Sequence, residues 1–112
     1  MTKVAFFAFR NHKMCFQHLL LNALDILEKG GEAKIIFEGE AVKLPKVLTE
    51  ESNPLFKKAL EKGIIAGVCE ACSKTMEVYD INKDLGMTFL SSLKGHPSMD
   101  DYLSEGYQVI TL

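Results

Sequence analysis

Apolar residues along the chain form short continuous runs separated by longer amphipathic segments. Three runs, "KVAFFAF" (3–9), "AKIIFEG" (33–39) and "IIAGVC" (64–69), are rich in β-branched and aromatic residues. Runs of this length and composition are typical of strands buried on both faces of a parallel sheet. The short "MTFL" (87–90) and the alternating "YQVITL" (107–112) predict a weaker fourth strand and a final fifth strand.

Helical spacing of apolar residues marks the segments between the strands. "MCFQHLLLNALDILEKG" predicts a first helix that ends at Gly30. Two shorter helices are expected between Glu40 and Gly63, with Pro45 in the first turn of one and Asn53 capping the other. The inward residues of the second of these are expected to be Leu55, Phe56, Ala59 and Leu60.

Two further helices follow the third strand. "SKTMEVYDINKDLG" predicts a third main helix that ends at Gly86. "HPSMDDYLSEG" predicts a small helix with Ser98 as its cap and Asp101 at the capping-box position.

Strands that alternate with helices predict an α/β fold, because the crossover helices cover a parallel sheet. At 112 residues the chain is expected to be one domain, residues 1–112. We therefore expect a flavodoxin-like three-layer sandwich, with a mostly parallel five-stranded sheet and helices on both faces. Ligand sites in such folds lie beyond the carboxyl ends of the strands, at the switch in strand order. If the first and third strands flank that switch, the loops "RNHKMC" (10–15) and "CEAC" (69–72) converge there, with all three cysteines at one edge.

Charge, apolar content and cysteine count argue against a nucleic-acid-binding, membrane or secreted protein. The net charge is −2 and the charges are interspersed, so the basic surface of a nucleic-acid binder is not expected. No run of eighteen apolar residues is present, so we expect no membrane partner. The three cysteines cannot form a closed set of disulfides, and the amino terminus lacks the pattern of a secretion signal. A cytoplasmic protein with free thiols is expected.

The loop after the first strand contains no glycine, and it matches no nucleotide-binding or flavin-binding motif. No cofactor is therefore predicted from a motif. Arg10, Asn11 and Lys13 offer a place for a small anion, or they are solvated loop residues.

Cys69 and Cys72 are the strongest candidates for chemistry. A thiol is reactive as its thiolate, which a helix start or a nearby cation such as Lys74 stabilises. Glu70 and Glu77 would oppose ionisation if they approach. The alternative is a pair of ordinary buried thiols, since free cysteine is a common core residue.

A metal site is a second alternative. Cys69 and Cys72 form one Cys-x-x-Cys pair, which is half of a common zinc-binding pattern. Cys15 is the expected third ligand for zinc or iron, and the fold could bring a histidine to the same place. His12 and His96, each in a loop after a strand, are also candidate acid–base partners for a thiol. His18 lies inside the first helix, where a structural role or a subunit contact is expected.

Four segments together resemble the DsrE/DsrF-like proteins: "VAFFAF", "CFQHLLLNALDILEKGGEAKIIFEGEAV", "GVCEACSKT" and "GHPSMDDYLSEGYQVITL". The last of these resembles a small cytosolic branch of the family. The resemblance implies a compact parallel α/β domain, assembly as a dimer, trimer or hexamer, and partner proteins that donate or accept sulfur. Some relatives relay sulfur as a cysteine persulfide, and many others have no assigned activity.

The resemblance places the active cysteine in the loop after the third strand, where Cys69 and Cys72 both qualify. Cys72 is preferred because the helix start can stabilise its thiolate. Cys15, His12, His96 and Lys74 are the expected supporting residues. The extra apolar residues Leu21 and Ile26 on the first helix also predict a homo-oligomer.

The first hypothesis is a sulfur-relay or thiol-redox protein, sulfurtransferase-like if it is an enzyme. The alternatives are a non-enzymatic module that binds a metal or a small anion, and a subunit whose role is assembly.

Overall fold

A computed structural model describes residues 1–112 as an α/β sandwich around five parallel strands, β4-β3-β2-β1-β5 in spatial order. The strands are β1 Lys3–Ala8, β2 Glu32–Phe37, β3 Ile65–Cys69, β4 Phe89–Leu90 and β5 Gln108–Thr111. The helices are α1 Lys13–Glu28, α2 Leu44–Glu50, α3 Pro54–Glu61, α4 Glu70–Thr75, α5 Tyr79–Asp84 and α6 Asp100–Leu103, with a 3₁₀ helix at Gly39–Lys43. The predicted flavodoxin-like α/β class is confirmed.

The strand order differs from the expected one at the place that matters for the site. β1 pairs with β2 and β5, and β3 pairs with β2 and β4. The condition that the first and third strands flank the switch in strand order is therefore not met, because β2 lies between them. The loops that follow β1 and β3 share the carboxyl edge of the sheet but are separated by the width of one strand.

The hydrophobic core is unequal on the two faces of the sheet. A cluster of 20 buried residues joins one face to α1, α2, α3 and the 3₁₀ helix. The other face has a cluster of four buried residues, Ala5, Phe7, Ile36 and Tyr107. The small helix α6 covers this second cluster through Tyr102, whose ring meets that of Phe7 edge-on at 5.7 Å.

Asn53 caps α3 as expected, with its side-chain oxygen accepting from the backbone N–H groups of Leu55 and Phe56. Leu60, expected to face inward, is 43% exposed. α6 begins after Met99 with no side-chain cap, so the prediction of Ser98 as the cap is wrong.

The predicted third main helix is divided into α4 and α5. Glu77, in the turn between them, has a φ of +59°, a left-handed conformation that interrupts the helical hydrogen bonds. The break packs α5 against α2, and it leaves α4 as a short helix directly after the cysteine-bearing strand.

None of the helices combines the length and the apolarity that crossing a lipid bilayer requires.

Candidate functional site

The end of β3 carries the two central thiols. Cys69 is the last residue of β3 and the N-cap of α4, and its Sγ accepts the backbone N–H of Cys72 at 3.3 Å. This tight turn, one residue after a buried strand, brings both sulfur atoms to the same side of the α4 start. The spacing of two residues between the cysteines therefore has a direct structural cause.

His96 comes from the loop after β4. Leu93 and His96 exchange two backbone hydrogen bonds, of 2.7 and 2.9 Å, across a two-residue turn. The carbonyl of Gly95, within that turn, accepts the N–H of Ala71 at 2.9 Å. The loop is thus fixed against the first turn of α4, and its imidazole lies beside the thiols.

The three side chains form a close group. His96 Nδ1 lies 3.2 Å from Cys69 Sγ and 3.8 Å from Cys72 Sγ. All three potential ligand atoms lie within 4.8 Å of one another. Cys69 is fully buried, Cys72 is partly exposed, and 44% of the His96 side chain is exposed. The group therefore has an open side, at Cys72 and His96.

Burial raises the pKa of the Cys69 thiol to about 12, with further repulsion from Cys72 and Glu38 and a partial offset from the Cys72 backbone N–H. Cys69 is therefore a neutral thiol at physiological pH. Its proton can be donated to the imidazole of His96 at 3.2 Å. Cys72 is the thiol of the pair that a dissolved reagent reaches.

Glu38 lies beside the group of Cys69, Cys72 and His96, and the sequence alone did not identify it. Glu38 follows β2 directly, its side chain is only 15% exposed, and its Oε1 lies 3.8 Å from His96 Nδ1. Burial raises the pKa of the Glu38 carboxyl, and His96 lowers it in part. The available signal was its position: Glu38 ends the "AKIIFE" run, at the same sheet edge as the cysteine loop.

The other expected supporting residues lie outside this group. Cys15 is in the first turn of α1, beside Ala8 and Leu112 at the mouth of β1. His12 caps α1, its Nδ1 accepting the N–H of Cys15 at 3.2 Å. Lys74 pairs with Glu70 at 3.3 Å. None of these three belongs to the metal-ligating group, in which His96 stands where Cys15 was expected.

The residues considered for an anion lie in the loop after β1 and at the start of α1. Arg10 and Asn11 are exposed, and Lys13 forms an ion pair of 2.6 Å with Glu51. The Lys13 ammonium is therefore already engaged by a carboxylate of the same chain.

This chain is similar in sequence to uncharacterized proteins from two organisms. MJ0733, an uncharacterized protein of Methanocaldococcus jannaschii, is 41% identical over 98 residues, which are 85% of this chain and 78% of that protein. The chain belongs to the family of MJ0733. An uncharacterized protein of Archaeoglobus fulgidus is 40% identical to this chain over 50 residues, covering 45% of the chain and 82% of that protein. No protein-family model matches the chain.

A solved structure resembles the present chain over nearly the full length of both. It is a conserved protein of unknown function from Bacteroides thetaiotaomicron, with a TM-score of 0.72 and 21% sequence identity, covering 98% of this chain and 95% of that one. At this identity the likeness shows a shared fold.

Two kinds of chemistry suit the group. An accessible thiol beside an imidazole and a second thiol can exchange sulfur bonds. Two cysteines and a histidine at these separations are also side chains that bind thiophilic metals.

Proposed function

We propose that the protein is a cytoplasmic thiol protein that carries sulfur on Cys72, with Cys69 and His96 as its working partners. The observation that carries this proposal is the exposure of Cys72 beside the imidazole of His96, with Nδ1 and Sγ 3.8 Å apart. The resemblance to DsrE/DsrF-like proteins points to the same chemistry. We include membership of that wider group in the proposal.

The transfer has two balanced steps. His96 accepts the proton of Cys72, and the Cys72 thiolate attacks the outer sulfur of a donor persulfide. The new S–S bond on Cys72 forms as the donor S–S bond breaks, and the donor leaves as its thiol after regaining a proton. An acceptor thiolate then attacks the outer sulfur and releases the Cys72 thiolate.

Cys69 offers a way to clear the carrier when no acceptor is present. Its sulfur lies within 4.8 Å of Cys72 Sγ, so rotation of the two side chains has to bring the sulfur atoms together to form a bond. Cys69 gives its proton to His96, and its thiolate attacks Cys72 Sγ, which breaks the bond to the outer sulfur, expels hydrosulfide and leaves a disulfide.

The test is the intact mass of the protein after incubation with a small-molecule persulfide donor. Wild type and the control Cys15→Ser are expected to gain the mass of one sulfur atom, mapped by peptide sequencing to Cys72, or to lose two hydrogen atoms in molecules where Cys69 has displaced that sulfur as hydrosulfide. Cys72→Ser is expected to remain unmodified. An unmodified wild type, or a Cys72→Ser variant that gains sulfur equally well, would overturn the proposal.

A non-enzymatic metal site is the second candidate, favoured by the mutual approach of the Cys69, Cys72 and His96 ligand atoms to within 4.8 Å. Two thiolates and an imidazole select zinc or iron over magnesium and calcium. Protein purified without chelator is expected to contain close to one equivalent of zinc or iron by elemental analysis. A metal content far below one equivalent, even after zinc is added and the excess removed, counts against this candidate.

A further inference from the structure

Glu38 is a partly buried carboxylate whose ion-pair contact is with His96, at 3.8 Å, rather than with a lysine or arginine. A side chain that is 15% exposed loses much of its hydration. Its position beside an imidazole that contacts two thiols makes Glu38 a candidate ligand for a cation bound by the same group.

We propose that Glu38 is the fourth ligand of a zinc site completed by Cys69, Cys72 and His96. The proposal rests on the metal-binding candidate described above. It adds a residue from β2 to two residues from the end of β3 and one from the loop after β4, so that three adjacent strands of the sheet supply the ligands.

The distances from His96 Nδ1 to the other three residues are close to those of tetrahedral zinc. Glu38 lies outside the group of three residues whose ligand atoms are all within 4.8 Å of one another, so its side chain turns toward the sulfur atoms if it joins them on a metal. Bonds of about 2.0–2.1 Å to nitrogen or oxygen and about 2.3 Å to sulfur place neighbouring ligand atoms about 3.3–3.8 Å apart in a tetrahedron. His96 Nδ1 lies 3.2 Å from Cys69 Sγ, 3.8 Å from Cys72 Sγ and 3.8 Å from Glu38 Oε1. The imidazole nitrogen is therefore at ligand distance from each of the other three residues.

Charge and hydration point the same way. Cys69 is fully buried and the Glu38 side chain is 15% exposed, so water stabilises their negative forms only weakly. A divalent cation compensates the two thiolates and the carboxylate together, and the two thiol protons are released to solvent as the zinc–sulfur bonds form. Sulfur ligands favour zinc over magnesium or calcium at this site.

Zinc binding then opposes sulfur transfer. Coordination withdraws negative charge from the Cys72 sulfur and makes it a weaker nucleophile. Zinc-loaded protein is therefore expected to take up sulfur from a donor more slowly, and removal of zinc by a chelator is expected to restore the rate of loading. Bound metal would reversibly protect the Cys72 thiol from reaction.

The experiment compares metal-free wild type, Glu38→Gln and Glu40→Gln in zinc titrations against a competing chromophoric chelator. Glu40 is exposed and only two residues away, so its substitution gives the same change in charge outside the site. Wild type and Glu40→Gln are expected to bind one zinc with equal affinity. Glu38→Gln is expected to bind at least about tenfold more weakly, the lower end for loss of a group that supports a metal site.

Cobalt(II) gives a readout that a folding defect does not imitate. The thiolate-to-cobalt absorption is expected in all three proteins, because both cysteines remain. The ligand-field bands of Glu38→Gln are expected to change, because a water or an amide replaces the carboxylate. Thermal unfolding of the metal-free proteins is measured alongside.

The outcomes separate the two ideas. If Glu38→Gln equals wild type in both affinity and cobalt spectrum, Glu38 is not a ligand and the inference is overturned, although the three-residue metal site stands. If wild type binds no zinc, the metal site and the inference both fall. Neither result alters the persulfide experiment on metal-free protein, which decides the sulfur-carrier proposal by itself.

Discussion

At the scale of single residues, Cys69 and Cys72 share one turn but differ in reactivity. Cys69 is fully buried with a pKa of about 12, so roughly one molecule in ten thousand carries its thiolate at pH 8. We predict that iodoacetamide modifies Cys72 at least about tenfold faster than Cys69 in metal-free protein at pH 8. The Cys69 rate should rise with pH up to about 12, because its thiolate fraction grows tenfold per pH unit below the pKa.

Peptide mapping by mass spectrometry at timed intervals measures both rates in one sample. Cys15, half-buried and outside the group, provides an internal reference for access to solvent. Modification of Cys69 as fast as Cys72 at pH 8 would contradict the assignment of Cys72 as the accessible thiol.

Much of this site could be predicted from residue types and their place after strands. The cysteine pair and His96 were found because reactive side chains follow the carboxyl ends of parallel strands. Glu38 was missed because a single glutamate in a polar segment is usually solvated, and only the fold shows that it is 15% exposed. Cys15 was assigned to the metal group through a strand order that the fold does not have.

At the scale of elements, the contact between β3 and β4 depends on Gly67. Its φ is +154°, and a Cβ at this position would collide with the backbone oxygen of Thr88, which accepts the N–H of Val68. We predict that Gly67→Ala separates the two strands and moves His96 away from Cys69. The free energy of unfolding should fall by about 1–3 kcal/mol from overpacking, in addition to the strain of the backbone.

Gly63→Ala is the matched control, because Gly63 also has a positive φ, of +71°, but open space at its Cβ position. It should lower the free energy of unfolding by about 1–2 kcal/mol and leave the site intact. Urea denaturation gives both free energies, and zinc or persulfide loading reports on the site. Equal effects of the two substitutions on stability and loading would show that the β3–β4 contact is unimportant.

Most elements could be predicted from the spacing of apolar residues, and the pairing of the strands could not. Apolar runs are local, so β1, β2, β3 and α1 follow from short windows of sequence. Strand order depends on contacts between residues far apart in the chain, and β2 between β1 and β3 was therefore not foreseen. The break at Glu77 was missed because a left-handed glutamate has none of the usual glycine or asparagine signal.

At the scale of the whole molecule, α1 presents an apolar stripe that the fold leaves uncovered. Met14, His18 and Leu21 lie at helical positions i, i+4 and i+7, on one face. Met14 is 67% exposed and Leu21 is 49% exposed, whereas Ile26, also proposed for self-association, packs partly against the core. We predict that two chains associate through this stripe, since burial of each large apolar side chain contributes about 1.5–3 kcal/mol.

Leu21→Glu is expected to shift the protein to a monomer, because burying the new carboxylate opposes association. The control is Leu103→Glu, which changes a 52% exposed leucine on α6 in the same way. Light scattering coupled to size-exclusion chromatography over a range of concentrations gives the mass of each. A monomeric wild type at the highest concentration, or dissociation by Leu103→Glu alone, would show that the α1 stripe is not the contact. Leu21→Glu should leave persulfide loading of Cys72 unchanged. The reason is that α1 follows β1, whereas Cys69 and Cys72 follow β3, and β2 lies between these two strands.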